Sequence, residues 1–219
     1  FYDAYKKQMN YNLSLLVNAD NAIDVAHATR CPLPFLSCMV EDCIRRGKTV
    51  QEGGAVYNFT GPQGFGIANM ADSLYAVKKL VFDEKKVTLA EYKRALAMNY
   101  GQGFDAVSAG EIVTEIVREM AKSGMTVDES QIAGMIETVM NTGPSAEEKK
   151  KYEELLAMIE EVPKFGNDNE EVDLFARDVA YTYTRPLLNY RNPRGGQFQA
   201  GLYPVSANVP LGAQTGATP

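Results

Sequence analysis

Histidine is almost absent from this sequence, because His27 is the single histidine among 219 residues. A Ser-His-Asp triad, or a metal site built from several histidines within the chain, is therefore nearly excluded. His27 lies between Ala26 and Ala28 in a stretch with helical spacing. We interpret it as a structural residue rather than a catalytic one.

Cysteine is scarce too, with Cys31, Cys38 and Cys43 as the only three. Their number is odd, and their spacing fits neither a zinc-binding pair nor a Cys-x-x-Cys redox motif. Free thiols of this kind suit a reducing cytoplasm. A reactive thiolate needs a basic neighbour or a helix N-terminus, and the sequence supports this only weakly. We interpret each cysteine as a small buried apolar side chain.

Basic residues are not in excess, because 22 lysines and arginines stand against 28 aspartates and glutamates, for a net charge of -6. The concentrated basic face that binds nucleic acid is therefore not indicated. Long apolar runs are also missing, and no stretch approaches the roughly eighteen residues of a membrane span. We expect neither a nucleic-acid partner nor a membrane span.

What the sequence does contain is a series of amphipathic segments with helical spacing. The predicted helices cover residues 2–28, 34–46, 67–81, 89–98, 111–122, 129–140, 146–161 and 168–188. Thr88 with Glu91, and Asp168 with Glu171, have the spacing of capping pairs that open a helix. Ser37 is a candidate cap for the short helix after Pro34.

Two segments, 53–66 and 191–219, are rich in glycine and proline. The first predicts a strand that leads into a tight loop, and the second contains one β-like run from Leu202 to Val209. Residues 61–66, the last part of the first of these segments, open a helix, a place where free backbone amides can cradle an anion, but this loop lacks Gly-Lys-Ser/Thr and Gly-x-Gly-x-x-Gly. We interpret its glycines as positions of close backbone packing.

A cluster of acidic residues spans Asp168 to Asp173. An EF-hand loop requires alternating oxygen ligands, a central glycine and a final glutamate, and this pattern is missing. An acidic first turn of a helix explains these residues more simply. The sequence therefore predicts no metal site at this position.

Seven strings, taken in order, resemble the glycyl radical enzyme family, within its pyruvate formate-lyase-like superfamily. The resemblance is to the branch that holds glycerol dehydratase, choline trimethylamine-lyase and hydroxyproline dehydratase. The strings are Pro32-Leu-Pro-Phe-Leu-Ser37, Gly53-Gly-Ala-Val-Tyr-Asn-Phe-Thr-Gly-Pro-Gln-Gly64, Asn69-Met-Ala-Asp-Ser-Leu74, Pro163-Lys-Phe-Gly-Asn-Asp168, Asn192-Pro-Arg-Gly-Gly196, Gly201-Leu-Tyr-Pro-Val-Ser206 and Thr215-Gly-Ala-Thr-Pro219. They span nearly the whole chain, apart from a helical stretch at about 101–160.

The resemblance implies an α/β fold in which residues 1–219 are an internal segment of a ten-stranded barrel wrapped by helices. This segment is expected to be mostly helical, with residues 101–160 as a surface insert. The chain starts at Phe1 without a methionine and stops at Pro219, so both ends are expected to be cuts. The family's thiyl cysteine stands in a Gly-Cys-Val-Glu string, and its radical glycine in a second loop. Neither string is present, so the catalytic residues are expected outside this chain.

The resemblance further implies a lyase or dehydratase that breaks a C–O, C–N or similar bond in a small polar metabolite after hydrogen abstraction by a thiyl radical. An activating enzyme with S-adenosylmethionine and an iron-sulfur cluster would install the glycyl radical. The full-length protein would be a homodimer in the cytoplasm of an anaerobe, or inside a bacterial microcompartment. A pyruvate formate-lyase-type acyl transferase and a non-catalytic binding module derived from the barrel are the alternatives.

In related enzymes the strand with Leu-Tyr-Pro-x-Ser lines the substrate pocket. The resemblance therefore implies Tyr203 and Val205 as residues that face the substrate, with Val209 further along the same face. The Tyr203 hydroxyl offers a hydrogen bond, whereas Val205 offers none, so most of the polar specificity would come from other parts of the enzyme. Arg194 is interpreted as a clamp on its loop rather than a substrate ligand.

Overall fold

A computed structural model describes residues 1–101, 106–122, 128–141 and 143–202. Within these ranges the chain is mostly helical, as predicted. The helices are α1 (Tyr2–Arg30), α2 (Pro34–Cys38), α3 (Cys43–Arg46), α4 (Ile67–Val77), α5 (Leu89–Ala97), α6 (Ala106–Lys122), α7 (Glu129–Asn141), α8 (Ala146–Glu161) and α9 (Glu170–Leu187). Each helix within the described ranges is too short or too polar to cross a membrane.

The predicted capping box at Thr88 is confirmed. The Thr88 hydroxyl accepts a hydrogen bond from the Glu91 amide at 3.2 Å, and a Glu91 carboxylate oxygen accepts one from the Thr88 amide at 2.8 Å. Each residue thus satisfies a donor that the first turn of a helix leaves without an intrahelical partner. Ser145 and Glu148 open α8 in the same way.

The predicted cap at Ser37 is wrong. Its hydroxyl donates to the Leu33 carbonyl at 2.7 Å and accepts from the Val50 amide at 3.0 Å, so it links two parts of the chain. The single helix expected over 34–46 is broken into α2 and α3. Asp42 precedes α3 with φ 76°, a left-handed conformation that a continuous helix does not accommodate.

The predicted pair of Asp168 and Glu171 is also wrong as a cap. Helix α9 begins at Glu170, so Asp168 lies too far before the helix to take the capping position. Asp168 instead adopts φ 58° in the preceding turn. The acidic first turn is confirmed, because Glu170, Glu171 and Asp173 all occupy it.

The structure divides into two compact units, of which the first holds Phe1–Ala71 and the described residues from Glu170 onwards. In this unit α1 packs along α9. A core forms where the two helices meet the chain after α9, and its buried members are Leu13, Val17, Tyr183, Leu187 and Phe198. Aromatic contacts extend the packing towards the start of α1, where the rings of Tyr2 and Phe175 are 5.5 Å apart.

The second unit holds the described residues of Asp72–Asn169. In it α4 continues into a π-helical turn, Lys78–Asp83, and an ion pair of 3.3 Å joins Arg94 of α5 to Glu148 of α8. Helix α6 packs against α7. The helices predicted at 111–122, 129–140 and 146–161 are thus confirmed, while their role as a surface insert stays a prediction.

The strand predicted within 53–66 is only partly confirmed. The described chain forms isolated parallel bridges in this region, between Thr60 and Phe198 and between Gln63 and Gly201. Pro62 has no amide hydrogen to donate, which limits the pairing on this side. The second predicted strand, Leu202 to Val209, lies outside the described residues except for Leu202.

Candidate functional site

Two glycine-rich segments run parallel in the first unit, residues 58–64 (the first segment) and 196–202 (the second segment). Their backbone hydrogen bonds run from Thr60 N to Gln197 O (3.1 Å), from Gln199 N to Thr60 O (2.9 Å), from Gly201 N to Pro62 O (3.0 Å) and from Gly64 N to Gly201 O (2.8 Å). The described part of this paired backbone ends at Leu202.

Asn192 ties the two segments together at the start of this pairing. Its side-chain nitrogen donates to the Asn58 carbonyl at 2.5 Å and to the Thr60 hydroxyl at 2.8 Å. Its side-chain oxygen accepts from the Gly196 amide at 2.8 Å. Asn192 is only 5% exposed, and because these three bonds occupy both ends of its amide, burial leaves it well satisfied.

Arg194 is a clamp, as predicted. Its Nε donates to a carboxylate oxygen of Asp24 on α1 at 2.9 Å, and Nη2 donates to the Thr60 hydroxyl at 3.0 Å and to the Phe59 carbonyl at 3.3 Å. The Thr60 hydroxyl oxygen therefore accepts from both Asn192 and Arg194. The two charged side chains are 18% and 19% exposed, so solvent screens their attraction less than that of a surface pair.

The charge of Asp24 also affects the pKa of Asp20, which lies one turn earlier on α1. Burial is the main cause that raises the pKa of the Asp20 carboxyl, and the negative charge of Asp24 raises it further. The positive charge of Arg194 compensates the negative charge of Asp24, its partner on α1.

Close packing explains Gly64, as predicted, and it also explains Gly196, which the prediction did not cover. A Cβ on Gly64 would lie 2.7 Å from a ring carbon of Tyr183 and 2.9 Å from a methyl carbon of Leu202, and a Cβ on Gly196 would overlap the Asn58 carbonyl. The close packing predicted for Gly66, which precedes α4, is wrong. Gly66 has open space around it and adopts φ 69°, where residues with a side chain are strained.

The pairing rests on the core of the first unit. Phe198 is fully buried beneath the second segment, against Leu13 and Leu187. Tyr183 of α9 lies beside them and its hydroxyl donates to the Pro62 carbonyl at 2.9 Å. Burial raises the pKa of the Tyr183 phenol, and the charge of Asp20 adds to this effect. The phenol is thus held as a neutral donor that fixes the first segment.

The residues predicted to face the substrate, Tyr203, Val205 and Val209, lie outside the described residues. The described part of the second segment ends at Leu202, which is half exposed. The substrate-facing assignment itself stays a prediction.

The cysteines and the histidine are spread along the first unit. Cys43 is buried, as predicted, whereas Cys31 and Cys38 are exposed, so the interpretation of those two as buried side chains is wrong for the described chain. His27 is exposed in the last turn of α1. Over the described ranges, no group of three or more His, Cys, Asp or Glu side chains is arranged to hold a metal ion.

Sequence reasoning missed the roles of Asp24, Thr60 and Asn192. Asp24 lies 170 positions before its partner Arg194, and no local pattern marks it. Arg194 itself was the available signal, because an arginine predicted to clamp a loop requires acceptors nearby. The side chain of Asn192 could be interpreted only once the fold had placed it under Asn58.

Comparisons with known proteins cover nearly the whole chain. Residues 1–212 match the sequence pattern of the family described as pyruvate formate lyase-like. The chain is 30% identical to a (2S)-3-sulfopropanediol dehydratase of Klebsiella oxytoca over 97% of this chain and 20% of that protein. The chain spans about a fifth of the length of the curated relatives it matches.

Two solved structures are similar at higher identity. One comes from work on 1,2-propanediol dehydration in Roseburia inulinivorans, with 61% identity and a TM-score of 0.89 over 100% of this chain and 26% of that one. The other is the glycerol-bound, B12-independent glycerol dehydratase of Clostridium butyricum. It shows 44% identity and a TM-score of 0.72, over 100% of this chain and 22% of that one.

Proposed function

The chain belongs to the pyruvate formate lyase-like family, and from this premise we propose that it is part of a glycyl radical dehydratase acting on a small, uncharged vicinal diol. The observation that carries the proposal is the 61% identity, at a TM-score of 0.89, to a structure concerned with 1,2-propanediol dehydration. Loss of water from such a diol gives an aldehyde, which defines the product to be measured.

The ranking of these relatives by sequence identity favours a diol substrate without a charged substituent. The propanediol and glycerol proteins are 61% and 44% identical to this chain, whereas the sulfopropanediol dehydratase is 30% identical. A sulfonate would need a cationic partner in its pocket. Arg194, which lies beside the candidate site, is already bound to Asp24 and Thr60.

In this proposal residues 1–219 are an internal segment of a ten-stranded α/β barrel, with residues 101–160 as a helical insert. The parallel pairing of the first and second segments supports this, because parallel strands pair in this way within barrels that helices surround. The barrel would hold the substrate away from water and in line with the reacting groups.

Tyr203, Val205 and Val209 are the proposed substrate-binding residues. Gly201 is the last residue of the described pairing, and alternate residues of an extended chain share a face. We expect the Tyr203 hydroxyl to hydrogen-bond to the diol and the two valines to enclose its carbon chain. A pocket wall with one hydroxyl and two apolar side chains suits a substrate that is polar at one end only.

The radical chemistry would come from groups outside this chain. The glycyl radical and the thiyl cysteine would supply hydrogen abstraction, and neither a Gly-Cys-Val-Glu string nor a matching cysteine occurs in residues 1–219. An S-adenosylmethionine and iron-sulfur activating enzyme is the proposed partner that installs the radical. The full-length protein is proposed to be a homodimer, in which residues 1–219 bind and orient the substrate.

The test uses the full-length protein, activated without oxygen by its activating enzyme. It is supplied separately with 1,2-propanediol, glycerol, and pyruvate with coenzyme A, and its radical content is measured by electron paramagnetic resonance. We expect an aldehyde from at least one diol. In Tyr203→Phe we expect KM for that diol to rise roughly tenfold because a hydrogen bond is lost, while Tyr181→Phe, an exposed position, leaves KM unchanged.

Other outcomes separate the alternatives. Acetyl-coenzyme A and formate from pyruvate would indicate the acyl transferase. A native polypeptide of the mass of this chain alone that takes up no radical would indicate a non-catalytic module. A protein that carries the radical and consumes neither diol would disprove the proposed substrate class while leaving the family intact.

A further inference from the structure

We propose that a cavity in the second unit binds a small uncharged molecule about the size of a benzene ring, and that the Tyr100 hydroxyl donates a hydrogen bond to an oxygen of this ligand. The residues that support the proposal all lie within Asp72–Asn169, in the second unit. The inference therefore does not rest on the proposed dehydration of a diol.

The size of the cavity limits the ligand to a small molecule. Its volume is about 140 Å³, and its described walls come from α4, α5, α8 and the turn Asn99–Gly101. The apolar residues of these walls are Leu74, Ala76, Val77, Leu96 and Ile159. An apolar cavity of about 150 Å³ can hold one molecule of benzene, whereas pockets for drug-sized ligands begin at roughly 300 Å³. The space therefore suits one ring or a few carbon atoms.

The Tyr100 hydroxyl is the polar group that needs a partner. It lies in the cavity wall, is shielded from solvent and has no hydrogen-bond partner among the described residues. Burial raises the pKa of this phenol, and the neighbouring Tyr92 phenol raises it further, so the hydroxyl stays protonated and can donate. A buried donor without a partner is costly, and a ligand that presents an oxygen to it would remove this cost.

The backbone that carries Tyr100 is strained. Asn99, Tyr100 and Gly101 adopt φ values of 45°, 50° and 96°, in the left-handed region that residues with a side chain seldom occupy. Strain of this kind persists only where the surrounding structure holds it, and it is frequent at ligand sites. The Gly101 amide donates to the Met98 carbonyl at 3.0 Å, which ties the turn to the end of α5. The turn thus positions the Tyr100 ring in the cavity wall.

The charges around the cavity favour an uncharged ligand. Two charged side chains, Asp72 and Lys164, belong to the described walls, and their opposite charges cancel. Both already have partners: an Asp72 carboxylate oxygen accepts from the Phe165 amide at 2.8 Å, and the Lys164 ammonium donates to the Ile159 and Val162 carbonyls at 2.5 and 2.7 Å. A charged ligand would therefore lose its hydration and find no free counter-charge on these walls.

The main experiment uses two probes, 4-fluorophenol and fluorobenzene, with the full-length protein before radical activation. The probes share a ring and a fluorine atom, and only the first has a hydroxyl. Fluorine NMR measures the Kd of each. We expect Tyr100→Phe to weaken 4-fluorophenol binding roughly threefold to tenfold, the contribution of one hydrogen bond, without weakening fluorobenzene binding.

The matched control is Tyr152→Phe. Tyr152 of α8 is likewise buried in the second unit, but it is not one of the residues that line this cavity. Both substitutions remove one phenolic hydroxyl and keep the ring. The Kd of each probe should stay at its original value in Tyr152→Phe.

Two further measurements locate the bound probe. Ala76 is 2% exposed and lies in the wall, so Ala76→Leu should fill the space and abolish binding of both probes. Amide exchange needs no substitution: bound 4-fluorophenol should slow exchange of the Gly101 amide, because a ligand stabilises the folded form that binds it. This measurement decides the matter if Ala76→Leu does not fold.

Three results would overturn the inference. The first is that neither probe binds, which would mean that water or another part of the protein fills the cavity. The second is that Tyr100→Phe and Tyr152→Phe weaken 4-fluorophenol binding equally. The third is that 4-fluorophenol binds but leaves the exchange of the Gly101 amide unchanged, which would place the probe elsewhere.

Discussion

The Nε of Arg194 lies 2.9 Å from a carboxylate oxygen of Asp24. This contact joins the loop after α9 to the C-terminal part of α1, across 170 positions of sequence. Because Arg194 also donates to Thr60 and Phe59, the ion pair connects the long first helix to the two paired segments. The stability of the candidate site should therefore depend on a residue far from it in the chain.

Replacing Asp24 by asparagine should loosen the loop. The change removes the negative partner of a guanidinium that is 18% exposed, so the free energy of local opening at residues 191–201 should fall by about 1–3 kcal/mol. Hydrogen exchange of the amides in this range measures the opening directly.

The matched control is Asp178→Asn. Asp178 pairs with Arg177 at 2.9 Å, but these side chains are 51% and 54% exposed. Surface pairs contribute little because solvent screens them, so exchange around Asp178 should change by much less. Equal effects of the two substitutions would contradict the interpretation of Arg194 as a clamp.

Gly64 offers a test of close packing. A Cβ there would lie 2.7 Å from a ring carbon of Tyr183, so Gly64→Ala must displace that ring and should destabilise the first unit by roughly 1–3 kcal/mol. Gly134 of α7 has open space around it, and Gly134→Ala should instead stabilise its helix by about 0.5–1 kcal/mol. Local amide exchange should become faster in Gly64→Ala and slower in Gly134→Ala. A destabilising effect of Gly134→Ala would contradict this explanation.

These contrasts show what the sequence could predict. Helical spacing and the pair Thr88 and Glu91 placed α5 correctly, because a capping box is a local interaction. The helix cap predicted at Ser37 is wrong because its hydroxyl accepts a hydrogen bond from the amide of Val50, 13 positions away. Such a contact exists only after folding. Asp24 and Asn192 were missed for the same reason, while Arg194 was recognised as a clamp from the glycine-rich string that surrounds it.

The turn before α3 should show an unusual acidic titration. The hydrogen bond from Arg45 is the main cause that lowers the pKa of the Asp42 carboxyl to about 2, with Arg46 adding to the effect. Because the folded pKa lies below the unfolded one, the stabilising contribution is present above the unfolded pKa, near 3.8. It is lost as the pH falls through about 2.

Carboxyl NMR of Asp42 in a pH titration checks this expectation. Arg45→Gln should raise the pKa of Asp42 towards its ordinary value, and Arg46→Gln should raise it less, since Arg45 makes two hydrogen bonds to the carboxylate at 2.8 and 2.6 Å. High salt should raise it as well, because the Arg45 side chain is 73% exposed and dissolved ions screen its attraction for the carboxylate. A larger effect from Arg46→Gln would reverse the assigned causes.

Tyr183 should control the alkaline stability of the paired segments. Its hydroxyl and the Gly201 amide both donate to the Pro62 carbonyl, at 2.9 and 3.0 Å. Burial raises the pKa of the phenol above that of the unfolded chain. The stabilising contribution is therefore complete below the unfolded pKa, about 10, and is lost as the pH rises through the folded value.

Tyr183→Phe keeps the ring in the core and removes only the hydroxyl. At neutral pH we expect a loss of about 0.5–1 kcal/mol, at the low end for a hydrogen bond because Gly201 still satisfies the Pro62 carbonyl. Above pH 10 the unmodified protein should lose the stabilisation that the Tyr183 hydrogen bond provides. The exchange rate of its Gly201 amide should then approach the rate in Tyr183→Phe. The exposed Tyr181→Phe should follow the unmodified protein throughout. If Tyr183→Phe instead retained a constant difference at every pH, the phenol would not be the group that links the pairing to α9.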